Sequence, residues 1–395
     1  MLTRALAQAV FTEAVAACDP TVLVASALAD LASLDGRRLA ISAGKAALAM
    51  ARGAGIVARG LAIAPADDGE PLPEGWERMI SSHPVPDDRS VAAGEAALSL
   101  AESAGPDDLL LVLISGGASS LMESPRISLA EYRGITSAVM ASGAPIHELN
   151  LVRSALSRVK GGRLVAQCAA RVVTLAISDV LDDDLTVIGS GPSIAPVAPI
   201  GARAIDVLQR RGIAVPAMLD AEQSSPPRIG DVSRVVAGIA AFSTAAVSAL
   251  AKRSLWASRS TTPLAGDVET CAAQLLAEPG VVVAWGEPTV AVPADHGEGG
   301  RAQHLALLLA RGLRGGGRAA LVIGSDGIDG STPVGRPTPA GAFVDGSTWE
   351  AIAAAGIDPE RALRRRDAGT ALAAVRALVV TGPTGINHAD LVLLG

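Results

Sequence analysis

Short apolar runs that end in glycine or serine turns recur along this chain, and they constrain its fold more than any other feature. Residues 109–114 precede SGGASS, 172–177 precede SDV, 281–285 precede GEPT, 319–323 precede GSDGIDG and 377–380 precede TGPTG. A run that is apolar at every position has to be covered on both faces, which is the pattern of parallel strands packed between helices. The stretches between the runs are rich in alanine and read as helices. Only eight aromatic residues occur, so the core is built from Ala, Val, Leu and Ile. The chain is therefore of the α/β class, and its 395 residues suffice for two or three domains. In such sheets ligands collect beyond the carboxyl ends of the strands, where these polar turns lie.

Composition excludes several classes. The formal net charge is −7, and the densest basic cluster, Arg364 to Arg366, has no interleaved aromatics, so nucleic-acid binding is not expected. Cys18, Cys168 and Cys271 are odd in number, far apart and set in apolar stretches, which reads as reduced core thiols of a cytoplasmic protein. The first twenty residues read as an amphipathic helix, not a signal peptide, because Gln8, Thr12 and Glu13 interrupt the apolar run. No stretch of about 18 uninterrupted apolar residues supports a membrane span. A change of character at QSSPPRIG predicts a boundary that divides the chain into domains 1–228 and 229–395. The Gly/Pro-rich stretch 324–342 is longer than an ordinary connection and is a candidate functional loop.

Two cations stand at predicted helix starts. Lys45 follows a short apolar strand and Gly44, and Arg301 follows Gly299 and Gly300 at the opening of a leucine-rich helix. A helix N-terminus already carries partial positive charge, so a cation there calls for an anion to share the site. Arginine adds a planar fork suited to carboxylate or phosphate. In SGGASS, the small residues Ser115, Gly116, Gly117 and Ser119 let main-chain N–H groups and hydroxyls converge on an anion. Asp179 closes a buried run and is placed to accept a hydroxyl proton or to hold Mg²⁺. Asp326 in GSDGIDG is a second candidate metal ligand, and Thr381, Gly382 and Thr384 in TGPTG are candidate phosphate contacts. A Walker loop and a G-x-S-x-G elbow are both missing. A G-x-G-x-x-A string at Gly53, Gly55 and Ala58 follows a predicted helix, not a strand, and so lacks the context of a dinucleotide fingerprint.

The ordered segments AGKAA, HPVPD, SGGASS, LSRVKGGRL, ISDV with SGPS, GGRAQ, SDGIDG and TGPTG resemble the glycerate 2-kinases, which pair an N-terminal Rossmann-like domain with a C-terminal MOFRL-type domain. The resemblance spans essentially the whole chain. It implies two Rossmann-like α/β domains with mostly parallel sheets and an active-site cleft between them. It also implies ATP-dependent phosphorylation of D-glycerate at the 2-hydroxyl, with Mg²⁺. Lys45, Asp179 and Arg301 would be the catalytic residues, Lys160 of LSRVKGGRL would join the phosphate-binding set, and Asp179 and Asp326 would be the metal ligands. The expected partners are then a nucleotide and a small 2-hydroxy acid, with no nucleic acid or membrane; a homodimer stays open.

Departures from the family pattern keep other readings in play. Where the family reads GGRNQE, this chain has Ala302 and His304, a change expected to alter substrate choice near Arg301. The alternatives are a kinase for another small 2-hydroxy acid, a kinase-like binding protein without turnover, and an NAD(P)H-dependent hydroxypyruvate reductase. The last requires a strand-anchored dinucleotide fingerprint.

Overall fold

Runs that are apolar at every position do become strands buried on both faces. The computed structural model describes residues 2–31, 35–180, 182–196, 198–219, 231–332, 335–386 and 388–395. The chain divides into two units, one of Pro20–Gly238 and the other of Met1–Asp19 together with Ile239–Gly395. The expected boundary at 228/229 falls within 220–230, outside the described residues. The amphipathic first helix, Arg4–Ala17, groups with the C-terminal unit.

In the Pro20–Gly238 unit, β1 (Arg37–Ala43), β2 (Arg59–Ala64), β3 (Trp76–Ile80), β4 (Asp108–Ile114), β5 (Arg171–Ile177) and β6 (Val232–Ala237) form one sheet. Its order is β3-β2-β1-β4-β5-β6 and every pairing is parallel. This is the doubly wound arrangement, and the strand order reverses between β1 and β4. The central strands bury nearly every residue, whereas the edge strands β3 and β6 are mostly half-exposed. Alanines carry the packing: Ala93, Ala97 and Ala101 of the Asp88–Glu102 helix pack closely in the core that includes Leu39, Ile41 and Leu110. That helix begins at a capping box in which the Asp87 carboxylate accepts from Ser90 N–H and the Ser90 hydroxyl accepts from Asp87 N–H.

The second unit departs from the expected mostly parallel sheet. Its strands are β7 (Ser258–Arg259), β8 (Val282–Gly286), β9 (Ala319–Gly324), β10 (Gly341–Asp345), β11 (Leu378–Val379) and β12 (Asp390–Leu394), in the order β11-β10-β9-β12-β8-β7. β12 runs antiparallel to both β8 and β9, and β10 is antiparallel to β9 and β11. A fully buried run shows that both faces are covered and says nothing of direction, so the sequence pattern does not separate these cases. Alternate β12 residues serve opposite layers. Val392 and Leu394 pack in the core built around the Arg301–Leu313 helix, and Leu391 and Leu393 in the one that holds the Arg4–Ala17 and Ala241–Ala251 helices. Phe11 and Phe242 meet edge to face in that second layer, with ring centroids 5.6 Å apart. The three cysteines are buried free thiols, and burial pushes Cys18 up to about 11, in keeping with a structural role. No single helix among the described residues is long and apolar enough to cross a membrane.

Candidate functional site

The reversal between β1 and β4 brings two of the predicted turns side by side. Ala43 pairs with Ile114 at the carboxyl ends of these strands, so Gly44–Lys45 and Ser115–Gly117 leave the sheet together. Gly44 has φ +132°, and a Cβ there would lie 2.1 Å from the Ser115 hydroxyl, so the close approach requires glycine. Lys45 N–H donates to the Gly116 carbonyl (2.8 Å) and Ala46 N–H to Ser115 Oγ (3.0 Å). The helix itself spans Ala47–Ala54 with Ala46 as its N-cap, so Lys45 sits in the turn just before it. Its side chain is exposed, and among the described residues its ammonium has no carboxylate within ion-pair distance.

Two further groups close on the same turn. A Cβ on Gly116 would lie 2.1 Å from Asp179 Oδ2, and one on Gly117 would meet the His83 ring at 3.0 Å and Lys45 Cγ at 3.5 Å. The two glycines thus let Lys45, His83 and Asp179 converge. Burial lowers the pKa of His83, the Lys45 charge lowers it further, and Asp179 opposes both, so the ring is neutral at pH 7. His83 was not among the residues singled out from sequence. It lies in HPVPD, and its chemistry appears only when the neighbouring turn is placed beside it.

A cavity of about 720 Å³ opens from this turn within the same unit. Gly117, Ser119, Asp179, Asp182 and Ser190 contribute to its wall, and Ser119 and Ser190 join hydroxyls at 2.9 Å. Ser115 and Gly116, expected as ligand contacts, do not line this cavity. Both are buried, and the Ser115 hydroxyl and the Gly116 carbonyl hold the Lys45 turn.

Lys160 also departs from expectation. It is 0 % exposed, and its ammonium is bonded to Glu123, which also accepts from Ser157 Oγ (2.5 Å) and Ser124 N–H (3.0 Å). The Tyr132 ring lies 5.8 Å from the ammonium. Burial lowers the pKa of Lys160 and Glu123 only partly offsets this, in an internal pair with no face for phosphate. Of the glycines that follow, Gly161 reaches the cavity wall; its N–H donates to the Ser190 carbonyl (3.0 Å), and Gly162 N–H donates to that of Gly191 (2.8 Å).

In the second unit the antiparallel β12 decides the local chemistry. Its first residue, Asp390, pairs in register with Gly286 at the end of β8 and Gly324 at the end of β9, so GEPT and GSDGIDG flank it. Arg301, the first residue of its helix, donates to Asp390 through Nε (2.7 Å) and Nη2 (3.1 Å), and Nη2 also reaches Glu287 (3.1 Å). Asp329 accepts from Ala302 N–H (3.0 Å) and Gln303 N–H (2.8 Å) and so caps this helix from a distant loop. Desolvation is the largest influence on Arg301 and works against its charge, but the bond to Asp390 and the charges of Asp390, Glu287 and Asp329 together outweigh it and raise the pKa; burial pushes Asp390 up to about 6 even so. The helix end that was expected to call for an outside anion is thus already supplied with protein carboxylates.

Asp326, Thr381, Gly382 and Thr384 are brought together in this unit. Thr384 N–H donates to the Asp326 carbonyl (3.1 Å), the Thr384 hydroxyl bonds the Ser325 carbonyl, and a Cβ on Gly327 would lie 2.0 Å from the Gly382 carbonyl. The Thr381 hydroxyl donates to the Gly382 carbonyl (2.9 Å). The exposed Asp326 carboxylate accepts from Ile328 N–H with one oxygen (3.0 Å). The expectation for Ala302 and His304 changes: both are buried, Ala302 in the apolar core and His304 against Arg366 (2.8 Å), so neither side chain is presented to a ligand beside Arg301.

Comparison with known proteins agrees with this architecture. A family model described as a domain of unknown function, DUF4147, matches residues 6–221, and the MOFRL family model matches residues 280–390. A protein of Agrobacterium vitis called putative hydroxypyruvate reductase is 39 % identical over 91 % of this chain and all of its own length. A D-glycerate 2-kinase of Thermotoga maritima is 35 % identical over 90 % of each chain. The crystal structure of a glycerate kinase from Thermotoga maritima superposes with a TM-score of 0.87 at 32 % identity, over 99 % of both chains.

Proposed function

The chain belongs to the glycerate 2-kinase family, and from that premise we propose that it transfers the γ-phosphoryl group of ATP to the 2-hydroxyl of D-glycerate, giving 2-phospho-D-glycerate and ADP. One observation carries this reading: Lys45 holds an ammonium without a carboxylate partner among the described residues, beside Gly117, His83 and Asp179 at the switch point of a parallel sheet. Phosphoryl transfer depends on positioning and on fixed positive charge against the oxygens of the moving group.

In this reading Lys45 neutralises charge on the transferred group. Arg301, in the other unit, keeps a guanidinium edge that neither Asp390 nor Glu287 engages and that is open to an anion. Asp179 orients the 2-hydroxyl and takes its proton. As that oxygen bonds to phosphorus, the bond from phosphorus to the β,γ-bridging oxygen breaks and ADP leaves. Neutral His83 can hydrogen-bond to the acceptor without adding charge. The donor set suits Mg²⁺, because Asp179 and Asp182 line one cavity and this ion is commonly held by one or two carboxylates plus substrate phosphates. Bound there it would offset phosphate charge. Asp326, in the other unit, keeps one carboxylate oxygen uncommitted among the described residues. A cytoplasmic location belongs to the same reading and is supported by the three free, buried thiols.

The test is a coupled assay for ADP with D-glycerate, L-glycerate, tartronate and four-carbon sugar acids as acceptors, with the phosphate position read by NMR. D-glycerate is expected to give the fastest turnover and a C2 phosphate. Near-normal kcat in both Lys45→Ala and Asp179→Asn would sink the assigned roles. NADH oxidation with hydroxypyruvate, without ATP use, would replace the kinase by a reductase. The G-x-G-x-x-A string offers that reductase no support, since it runs from the end of the Ala47–Ala54 helix toward β2.

A further inference from the structure

The cavity that opens from the Gly117 turn is much larger than a three-carbon acid requires. At about 720 Å³ it lies in the range of sites that enclose ligands of drug size, about 300–1,000 Å³. Its walls come from two sources of opposite character. The turns after β4 and β5 bring Gly117, Ser119, Asp179 and Ser190, whereas the Ile146–Ala155 helix and the start of the Gly201–Arg210 helix bring an apolar side that includes Ile146, Leu151 and Ile200. A ligand that fills it therefore has a charged part and a broad, largely apolar part. A small hydroxy acid has only the first.

Resting on the kinase reading above, we propose that this cavity is the nucleoside subsite. The adenosine of ATP lies against the Ile146–Ala155 helix, with its phosphates directed to Gly117 and Ser119. Ile146 is 65 % exposed at this wall, an apolar surface that a flat base would cover. Asn150, half-buried on the same helix, makes no side-chain hydrogen bond to another described residue, so its carboxamide is available to a ligand. An amide that offers a donor and an acceptor side by side matches the N6 and N7 edge of adenine. Guanine carries an acceptor at both of those positions, so the same amide discriminates against GTP. Arg203 has no carboxylate partner among the described residues and adds a planar cation suited to stacking on the base.

The experiment uses the full chain and three variants, Leu151→Trp to fill the cavity, Ile146→Ser to remove the exposed apolar wall, and Asn150→Ala. Binding of ADP and of adenosine is measured by calorimetry, and KM is measured for ATP, GTP and D-glycerate. The expected result is adenosine binding by the unaltered protein and a tenfold or greater rise in KM for ATP and in Kd for ADP in Leu151→Trp. Ile146→Ser should raise both several-fold, with KM for D-glycerate changed less than twofold in either variant. Asn150→Ala should reduce the preference for ATP over GTP at least fivefold. If Leu151→Trp fails to fold, as judged by circular dichroism, the exposed Ile146→Ser position decides. Unchanged KM for ATP with a raised KM for D-glycerate would overturn the assignment in favour of an acceptor site. Absence of adenosine and ADP binding at millimolar concentration would overturn it outright. A protein that binds ADP in this variant-sensitive way but phosphorylates no acid would instead overturn the kinase reading and leave the subsite standing.

Discussion

Lys45 and Arg301 look alike in sequence and differ in structure. Each follows a glycine and stands at the start of a helix. Lys45 is held only through its main chain, by Gly116 and by Ser115 on Ala46, and its ammonium stands free of carboxylates among the described residues. Arg301 is held through its side chain by Asp390 and Glu287, on a helix whose N-terminus Asp329 caps. The difference teaches that a cation at a helix start marks an anion site only where the protein has not supplied the anion itself. Lys45 is an uncompensated charge that a substrate can claim, whereas Arg301 is a positioned guanidinium whose remaining edge alone is on offer.

The contrast breaks first at Lys45. Lys45→Ala should lower kcat about 10³-fold, roughly 4 kcal/mol of transition-state stabilisation, while denaturant unfolding changes by less than about 0.5 kcal/mol. A comparable loss of stability would mean that Lys45 is structural after all.

On the Arg301 helix the sensitivity should lie in stability and pH. Burial, aided by the Arg366 and Arg311 charges, lowers His304 to about 4. Because this depresses the folded value below the unfolded one near 6.5, the contribution is complete above pH 6.5 and is lost as pH falls toward 4, by at most about 3 kcal/mol. His304→Gln keeps an acceptor for Arg366 and should flatten that loss, read from unfolding free energies at pH 7 and 4.5. Equal slopes in both proteins would show that His304 protonates freely.

Arg301→Ala should cost about 2 kcal/mol of stability, since it leaves the buried Asp390 without its partner. Adding Asp390→Ala should recover part of it, and additive losses would deny the coupling. The smallest effect is expected for Ser115→Ala, which removes the acceptor for Ala46 N–H. One lost hydrogen bond of about 1 kcal/mol should reduce kcat about fivefold. An unchanged rate would show that the Lys45 turn holds its place without Ser115.

Much of the fold was legible because burial on both faces leaves a strong mark. The runs that became β4, β5, β8 and β9 were visible as unbroken apolar stretches. β3, with Glu77 and Arg78 on an edge, and the alanine- and glycine-containing β2 left no such mark. The short β12 was missed as well, and with it Asp390, the carboxylate that fixes Arg301. Residues whose chemistry depends on local sequence, such as Lys45 and Asp179, could be singled out, and the structure puts both at one turn. Those whose role depends on a neighbour from elsewhere were missed or misassigned: His83 beside Gly117, Lys160 on Glu123, and Ala302 facing the core.

The sequence by itself determined the α/β class, the polar turns beyond the strand ends and the two cations, because periodicity, glycine placement and side-chain charge are local properties. Only the tertiary structure decided which charges are already answered. Strand direction put Asp390 between the ends of β8 and β9 beside Arg301, and strand order put the Lys45 turn against Gly116 and Gly117. Whether a charge is free depends on what packs against it, and residues far apart in the chain supply that contact.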